Sequence, residues 1–193
     1  MANEIKAKSN GSVSLFGNDL SKGFENMTQE DMALPFIRIL GQLSPQVTDG
    51  DSKFIDGAKP GMIYNTVTND LFDGKKGIKV IPCYFKKDYP EWSDRGDGPG
   101  APVATHKPGS PVIQTGKRDG SKIRLPNGNY LEETAYYYVM VENKQGGYSP
   151  ALITMKSTQL SVSKKWNSMM KSVQIDDGKG GFAVPPMHGV VYN

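Results

Sequence analysis

The stretch Thr134–Val173 constrains the fold more than any other part of the chain, because it has the pattern of strand, tight turn, strand and helix. Ala135–Glu142 alternates as a strand does, and Gln145–Gly147 supplies the glycines that a hairpin turn needs for positive φ angles. Tyr148–Met155 predicts the returning strand. The segment therefore predicts a β-hairpin followed directly by a helix.

The first strand of this hairpin is apolar on both faces. Tyr137 and Val139 fall on one face, and Tyr136, Tyr138 and Met140 fall on the other. Such a strand is either central in a covered sheet or keeps one face for a ligand. In the helix, a buried stripe is predicted from spacings of four, three and four residues, with Met170 at its edge. Its members are Val162, Trp166, Met169 and Val173.

The same stretch has no acidic residue between Asn143 and Ile175. It carries five lysines: Lys144, Lys156, Lys164, Lys165 and Lys171. Tyrosine-rich strands beside unpaired cations indicate a polyanion-binding surface with stacking groups. The alternative is an ordinary hydrophobic hairpin packed under an amphipathic helix.

Composition narrows the class of protein. With 193 residues, 22 Gly and 13 Pro, the chain favours β structure with long connections over a helical bundle. The single cysteine, Cys83, excludes an internal disulfide and is expected in the core. No apolar run approaches the roughly 20 residues that span a bilayer, and no secretory signal is present. The net charge of +3 leaves the class of partner open.

Further strands are predicted over Met62–Thr68 and Gly77–Phe85, with Pro82 at an edge or a bulge. Residues 1–30 are expected to form a flexible arm, and 31–193 the folded domain. A last strand begins near Met187 and reaches the end of the sequence, which indicates a fragment that lacks a closing strand.

Residues 93–133 form a Gly/Pro-rich basic insertion in this domain. It is predicted to be either a flexible flap over a binding groove or a disordered insertion. Within it, Val112-Ile113 and Ile123–Leu125 are expected to form a small ribbon, closed by Asn127-Gly128.

No catalytic or metal-binding constellation is found. His106, His188 and Cys83 are too few for a zinc site, which needs three or four ligands. Gly178–Gly181 lacks the spacing of a phosphate-binding loop. The chain is therefore predicted to be a non-enzymatic protein without a metal or a cofactor.

Several segments resemble phage-encoded single-stranded-DNA-binding proteins of replication modules. They are LPFIRIL (Leu34–Leu40), PGMIYNTVT (Pro60–Thr68), IKVIPCYF with YPEW (Ile78–Trp92), MKSTQLSVSKKWNSMM (Met155–Met170) and PPMHGVVY (Pro185–Tyr192). The resemblance implies an OB-fold-like Greek-key barrel, mainly β with one principal helix, whose last strand would lie beyond Asn193. It also implies single-stranded DNA and phage replication proteins as partners, no membrane, and action in the cytoplasm of the infected bacterial host during DNA replication or recombination.

The nucleic-acid-binding residues predicted from these patterns are basic groups for phosphates and aromatic groups for bases. They are Lys86, Lys87, Tyr89, Trp92, Arg95, Lys117, Arg118, Lys122, Arg124, Tyr136, Tyr138, Tyr148, Lys156, Lys164, Lys165 and Lys171. Tyr84 and Trp166 are further candidates for stacking, although a Trp inside an apolar stripe usually packs in the core. The competing hypothesis is a phage structural or assembly protein in which the same apolar faces bind other proteins.

Overall fold

A computed structural model describes residues 23–94, 101–144 and 146–193. The chain divides into two units, Met1–Ala33 and Leu34–Asn193. The described part of the first unit contains one 3-10 turn, Gln29–Asp31. Most of the predicted arm therefore lies outside the described residues, and the second unit carries the fold.

The second unit is mainly β with one principal helix, as predicted. Its strands are β1 (Phe36–Ile39), β2 (Ile63–Asn65), β3 (Leu71–Phe72), β4 (Val80–Trp92), β5 (Ala104–His106), β6 (Lys117–Asp119), β7 (Lys122–Arg124), β8 (Tyr130–Glu132), β9 (Thr134–Glu142), β10 (Tyr148–Lys156), β11 (Ile175–Asp176) and β12 (Phe182–Ala183). The helices are α1 (Pro111–Thr115) and α2 (Leu160–Ser172), with 3-10 turns at Pro45–Val47, Ser157–Gln159 and Met187–Gly189.

The predicted hairpin is confirmed and forms the centre of a large mixed sheet. β9 and β10 pair antiparallel along their whole length, and Gly146 in their connection has a φ of 82°. β1 joins β10 in parallel, and β2 and β3 follow in antiparallel order. On its other side, β9 pairs with β4.

β4 is longer than the sequence pattern predicts, because the strand continues beyond the predicted proline irregularity. The register with β9 shifts between Pro82 and Tyr84, which confirms the predicted bulge. Beyond it, Asp88 pairs with Thr134 of β9, and Glu91 pairs with Leu131 of β8. β4 thus pairs first with β9 and then, farther along its length, with β8.

The predicted basic insertion is a folded ribbon over residues 101–133, so the hypothesis of a disordered insertion is wrong for these residues. β7 pairs with β8, β6 pairs with β7, and β5 pairs with β4. A small core of Ile123, Leu125 and Leu131 lies beneath, and Val112 and Ile113 of α1 pack against it. The turn through Asn127-Gly128 closes β7 on β8 as predicted, whereas Val112-Ile113 is helical.

α2 packs against Tyr137, whose side chain is fully buried. The ring of Trp166 lies 4.5 Å from that of Tyr137, between ring centres, which confirms that Trp166 packs on the core. The Tyr137 hydroxyl lies 2.7 Å from Ser163 Oγ and 2.9 Å from Asn167 Oδ1. Burial raises the pKa of Tyr137.

The predicted apolar stripe of α2 is confirmed at Trp166 and wrong at Val162 and Met169. Ser163 and Met170 are the buried residues of the helix, while Val162 and Met169 are about half exposed. The physical reason is the Tyr137 hydroxyl, because a buried hydroxyl requires polar partners and Ser163 occupies a position facing it.

The predicted OB-fold barrel is not confirmed. The large sheet is an open path of described strands from β3 to β6, with no pairing between these two ends, whereas a barrel requires closure. The strand predicted near Met187 is also wrong: Met187–Gly189 is a 3-10 turn, and only Tyr192 bridges to Val80. Pro185 and Pro186 precede this turn and cannot donate to a ladder. Among the described residues, none of the helices has the length and apolarity needed to cross a membrane.

Candidate nucleic-acid interface

The sheet has one face that points away from α2, called here the open face. Tyr137 contacts α2, so its neighbours Tyr136 and Tyr138 point to the other side of β9. Tyr138 pairs with Tyr84 of β4 and with Leu152 of β10, which in turn pairs with Phe36. The open face therefore crosses four strands.

The open face continues along β4 into the ribbon. Because side chains alternate, Lys86, Asp88 and Trp92 share the face of Tyr84. Trp92 pairs with Tyr130 of β8. Tyr130 pairs with Arg124 of β7, which pairs with Lys117 of β6, so the open face extends to these strands. The cations and rings that the register brings to this face include Phe36, Arg38, Tyr84, Lys86, Trp92, Lys117, Lys122, Arg124, Tyr130, Tyr136, Tyr138 and Lys156.

At one end of the open face, aromatic rings dominate. Tyr84 is 58% exposed, and its ring centre lies 5.8 Å from that of Tyr138. Lys86 Nζ lies 5.0 Å from the ring centre of Tyr136 and 6.0 Å from that of Tyr138. Burial is the largest cause of a raised pKa at Tyr136. This end offers ring surface to a ligand, with Tyr84 the most exposed of the three rings.

At the other end, cations cover a ring. Lys122 Nζ lies 3.6 Å from the ring centre of Tyr130, and the Arg124 guanidinium lies 5.6 Å from it. Arg124 also forms ion pairs with Asp94 (3.1 Å) and Asp119 (3.3 Å). Within the described ranges, no ion pair involves Lys117 or Lys122. This end therefore presents positive charge rather than ring surface.

Between the two ends lie carboxylates that already have partners. Asp88 is 2% exposed, with Lys86 Nζ 3.0 Å and Lys107 Nζ 3.4 Å from its two oxygens. Glu132 is also buried and pairs with Lys156 at 2.7 Å. The hydrogen bond from Lys86 to Asp88 is the largest cause of a raised pKa at Lys86. The middle of the open face is thus close to neutral.

A groove of about 630 Å³ borders this face. It is lined by Phe36, Arg38, Trp92, Tyr136 and Lys156 of the open face and by apolar residues of the opposite face such as Ile37 and Ile153. The indole N–H of Trp92 is buried and has no hydrogen-bond acceptor among the residues that the structure describes. A buried donor without an acceptor costs about 1–3 kcal/mol, so this group favours a ligand or water oxygen near it.

Of the predicted site residues that the structure describes, Trp92, Tyr136 and Lys156 line this groove, and several others do not lie on the open face. Lys164, Lys165 and Lys171 are exposed on α2, behind the sheet. The register places Lys87, Tyr89 and Arg118 on the face opposite to the open face. Lys87 forms an ion pair with Glu133 at 3.1 Å, and Tyr89 packs against the small core of Ile123, Leu125 and Leu131. Arg118 pairs in register with Ile123, which belongs to the same core. Tyr148 has the open-face register but lies opposite Glu142 at the far end of β10. Arg95 lies outside the described residues.

The single surface predicted for the hairpin and the helix together is therefore split between two sides. The reason is the alternation of β9, since Tyr137 binds α2 and its neighbours face away from it. The open face also carries Phe36, Arg38 and Tyr130, which no sequence pattern identifies as ligand-binding. The alternation of Leu34–Leu40 is the signal that relates Phe36 to Arg38.

The remaining polar groups have structural roles. Glu91 accepts hydrogen bonds from Asn129 (2.6 Å) and Asn127 (3.1 Å) and lies 2.7 Å from His106 Nε2. Asn129 and then His106 are the largest causes of a lowered pKa at Glu91. Cys83 is exposed at the bulge, so its predicted burial is wrong. Over the described ranges, no group of three or more His, Cys, Asp or Glu side chains is arranged to hold a metal ion.

Comparison with known proteins gives one family. A family model described as Pam3 phage gp34-like protein matches residues 7–193. No curated protein and no solved structure matches the chain. The family description names a phage but no activity. A function can therefore be inferred only from the chemistry of the open face.

Proposed function

This chain belongs to the Pam3 phage gp34-like family, and we propose that it binds single-stranded DNA with little sequence preference. One observation carries the proposal: the strand registers bring aromatic rings and cations to the same open face. Tyr136 and Tyr138 form the centre of this face, with Tyr84 and Lys86 beside them on β4.

The binding mechanism combines two contributions. Rings such as Tyr84 stack on bases, at about 1–3 kcal/mol per base. Lysines and arginines neutralise phosphates and release counterions, which makes the affinity fall steeply with salt. A duplex hides its base faces, so stacking favours single strands. The open sheet suffices for this mechanism, and it does not depend on an OB-type barrel.

A phage protein with this activity would act during DNA replication or recombination, in the cytoplasm of the infected host, beside other replication proteins. Low sequence preference fits that role, because every base presents a ring face for stacking. The proposal needs neither a metal nor a cofactor.

The two tryptophans permit a direct test. Trp92 lines the groove and Trp166 packs behind the sheet. In a Trp166→Phe variant, Trp92 is the single fluorescent reporter, and titration with oligo-dT should quench or shift its emission, with an apparent affinity that falls as salt rises. A Trp92→Phe variant, which reports from Trp166, should change much less. Absence of a salt-sensitive signal, together with no binding in a gel-shift assay, would overturn the proposal.

A second candidate function is protein binding in phage assembly. It is favoured by exposed apolar side chains on elements outside the large sheet, of which Phe182 on β12 is 76% exposed and Val162 on α2 is 53% exposed. This candidate predicts defined oligomers or complexes without nucleic acid, and elution in size-exclusion runs that oligonucleotides leave unchanged.

A further inference from the structure

We infer that the open face is bipartite: the Tyr84–Tyr138 end binds bases, the end at β6 and β7 with Lys117 and Lys122 (the ribbon end) binds phosphates, and the strand runs along β4 between them. This inference rests on the proposed single-strand binding and adds a path and a division of roles to it.

The ring end is suited to bases because its ring surface is accessible and its cation is already engaged. Tyr84 is 58% exposed beside Tyr138. Lys86, the cation of this end, is 3.0 Å from Asp88 and lies over Tyr136. A phosphate at this end would have to displace Asp88, whereas a base can stack on Tyr84 without breaking a contact.

At the ribbon end, the ring is covered and the lysines form no ion pair with a carboxylate that the structure describes. The ring of Tyr130 is covered by Lys122 at 3.6 Å, so a base cannot stack on that side of it without moving the lysine. The Tyr130 ring instead holds Lys122 in place, and the exposed Lys117 lies in register with Arg124. Positioned cations of this kind contact phosphates regardless of sequence.

The middle of the face separates the two ends. Asp88 and Glu132 are neutralised by their own lysines, so this part offers a ligand phosphate little attraction. From Tyr84 to Trp92, β4 covers about 26 Å at about 3.3 Å per residue. An oligonucleotide too short to span this distance can engage one end only.

Oligonucleotides with abasic halves test this division. Four oligonucleotides of about 12 nucleotides are compared, within the usual site sizes of such proteins: oligo-dT, a fully abasic strand, and strands abasic in the 5′ half or the 3′ half. One of the two half-abasic strands should bind within about twofold of oligo-dT, and the fully abasic strand at least about fivefold more weakly. The tolerated half also reports the polarity of the strand.

Matched variants assign the two ends. Tyr84→Ala should weaken oligo-dT binding and remove most of the difference between oligo-dT and the fully abasic strand. Phe182→Ala, which removes another exposed ring on the small β11–β12 hairpin, should do neither. The variant K117Q/K122Q should reduce the slope of log affinity against log salt by about 1.4, at about 0.7 per phosphate contact. Its control is K164Q/K165Q, which removes the same charge from α2.

The outcomes separate the inference from the proposed function. If oligo-dT binds but both half-abasic strands are weakened equally, or if K117Q/K122Q and K164Q/K165Q change the salt slope equally, the bipartite face is wrong and single-strand binding stands. If the wild-type protein binds no oligonucleotide, both fail.

Discussion

The two faces of the central sheet carry similar side chains with different surroundings. On the α2 side, Tyr137 is fully buried and its hydroxyl is satisfied by Ser163. On the open face, the neighbouring Tyr138 lies beside the exposed Tyr84 and near a lysine. The difference shows that residue type alone does not separate a core residue from a ligand-binding one, whereas strand register does. We expect the α2 side to determine stability and the open face to determine binding.

The largest expected effect contrasts adjacent tyrosines. Tyr137→Ala should lower the free energy of unfolding by about 3–5 kcal/mol, because it empties a fully buried site. Tyr138→Ala should cost less than about 1.5 kcal/mol and instead weaken oligo-dT binding. Urea denaturation of both variants measures the first quantity. Equal losses of stability would remove the contrast between the faces.

The next effect concerns Glu91, which the register places on the face opposite to the open face, where it joins β4 to the ribbon. Glu91→Gln should destabilise the protein by about 1.5–3 kcal/mol at neutral pH, because three donors lose an ionised acceptor. The folded-state pKa of Glu91 lies below its ordinary 4.5. Its contribution to stability is therefore present above about pH 4.5 and is lost as the pH falls through the folded-state pKa.

Urea denaturation across pH 3–7 (roughly the range over which a carboxyl titrates) checks this expectation. The wild-type protein should lose more stability toward acid than the Glu91→Gln variant does. The control is Glu142→Gln, which removes an exposed ion pair with Lys79 and should leave the pH profile nearly unchanged. Parallel profiles for wild type and Glu91→Gln would contradict the proposed linkage.

A smaller effect is expected from a carboxylate of the open face. Glu132→Gln should raise the affinity for oligo-dT by up to about fivefold, because Lys156 loses its ion-pair partner and can contact a phosphate. Fluorescence anisotropy at low salt measures the change, with Glu142→Gln again as the control. Weaker binding by Glu132→Gln would show that the carboxylate supports the ligand site rather than competing with it.

The smallest effect is expected from the lysines on α2. The variant K164Q/K165Q/K171Q should change oligo-dT affinity by less than about twofold at physiological salt, since charges beyond about one Debye length are screened. A larger loss would mean that the strand continues around the edge of the sheet to the helix, and the contrast between the faces would have to be revised.

Local patterns predicted the elements better than the surfaces. The hairpin was predictable because alternation and turn glycines specify it within one segment. The buried stripe of α2 was not predictable, because Ser163 faces the core to form a hydrogen bond with the hydroxyl of Tyr137 on a distant strand. The length of β4 could not be predicted, because Val80–Trp92 contains prolines and a proline usually ends or interrupts a ladder.

The candidate site was partly predictable for the same reason. Tyr136 and Tyr138 follow from alternation in one strand. Their association with Phe36 depends on a parallel pairing of β1 with β10, which joins segments far apart in the chain. The separation of Lys164 from the tyrosines depends on which side of the sheet the helix packs, and neither strand alone encodes that choice.

The shared strand β4 has a kinetic consequence. The ribbon is hydrogen-bonded to β4 through the pairing of Glu91 with Leu131, a residue whose side chain is completely buried. Lifting the ribbon as a hinged lid would break this ladder and expose its core to water. Entry of a strand therefore requires only side-chain rearrangement, and we expect association in stopped-flow mixing to be a single exponential whose rate rises linearly with oligonucleotide concentration, without a plateau set by an opening step.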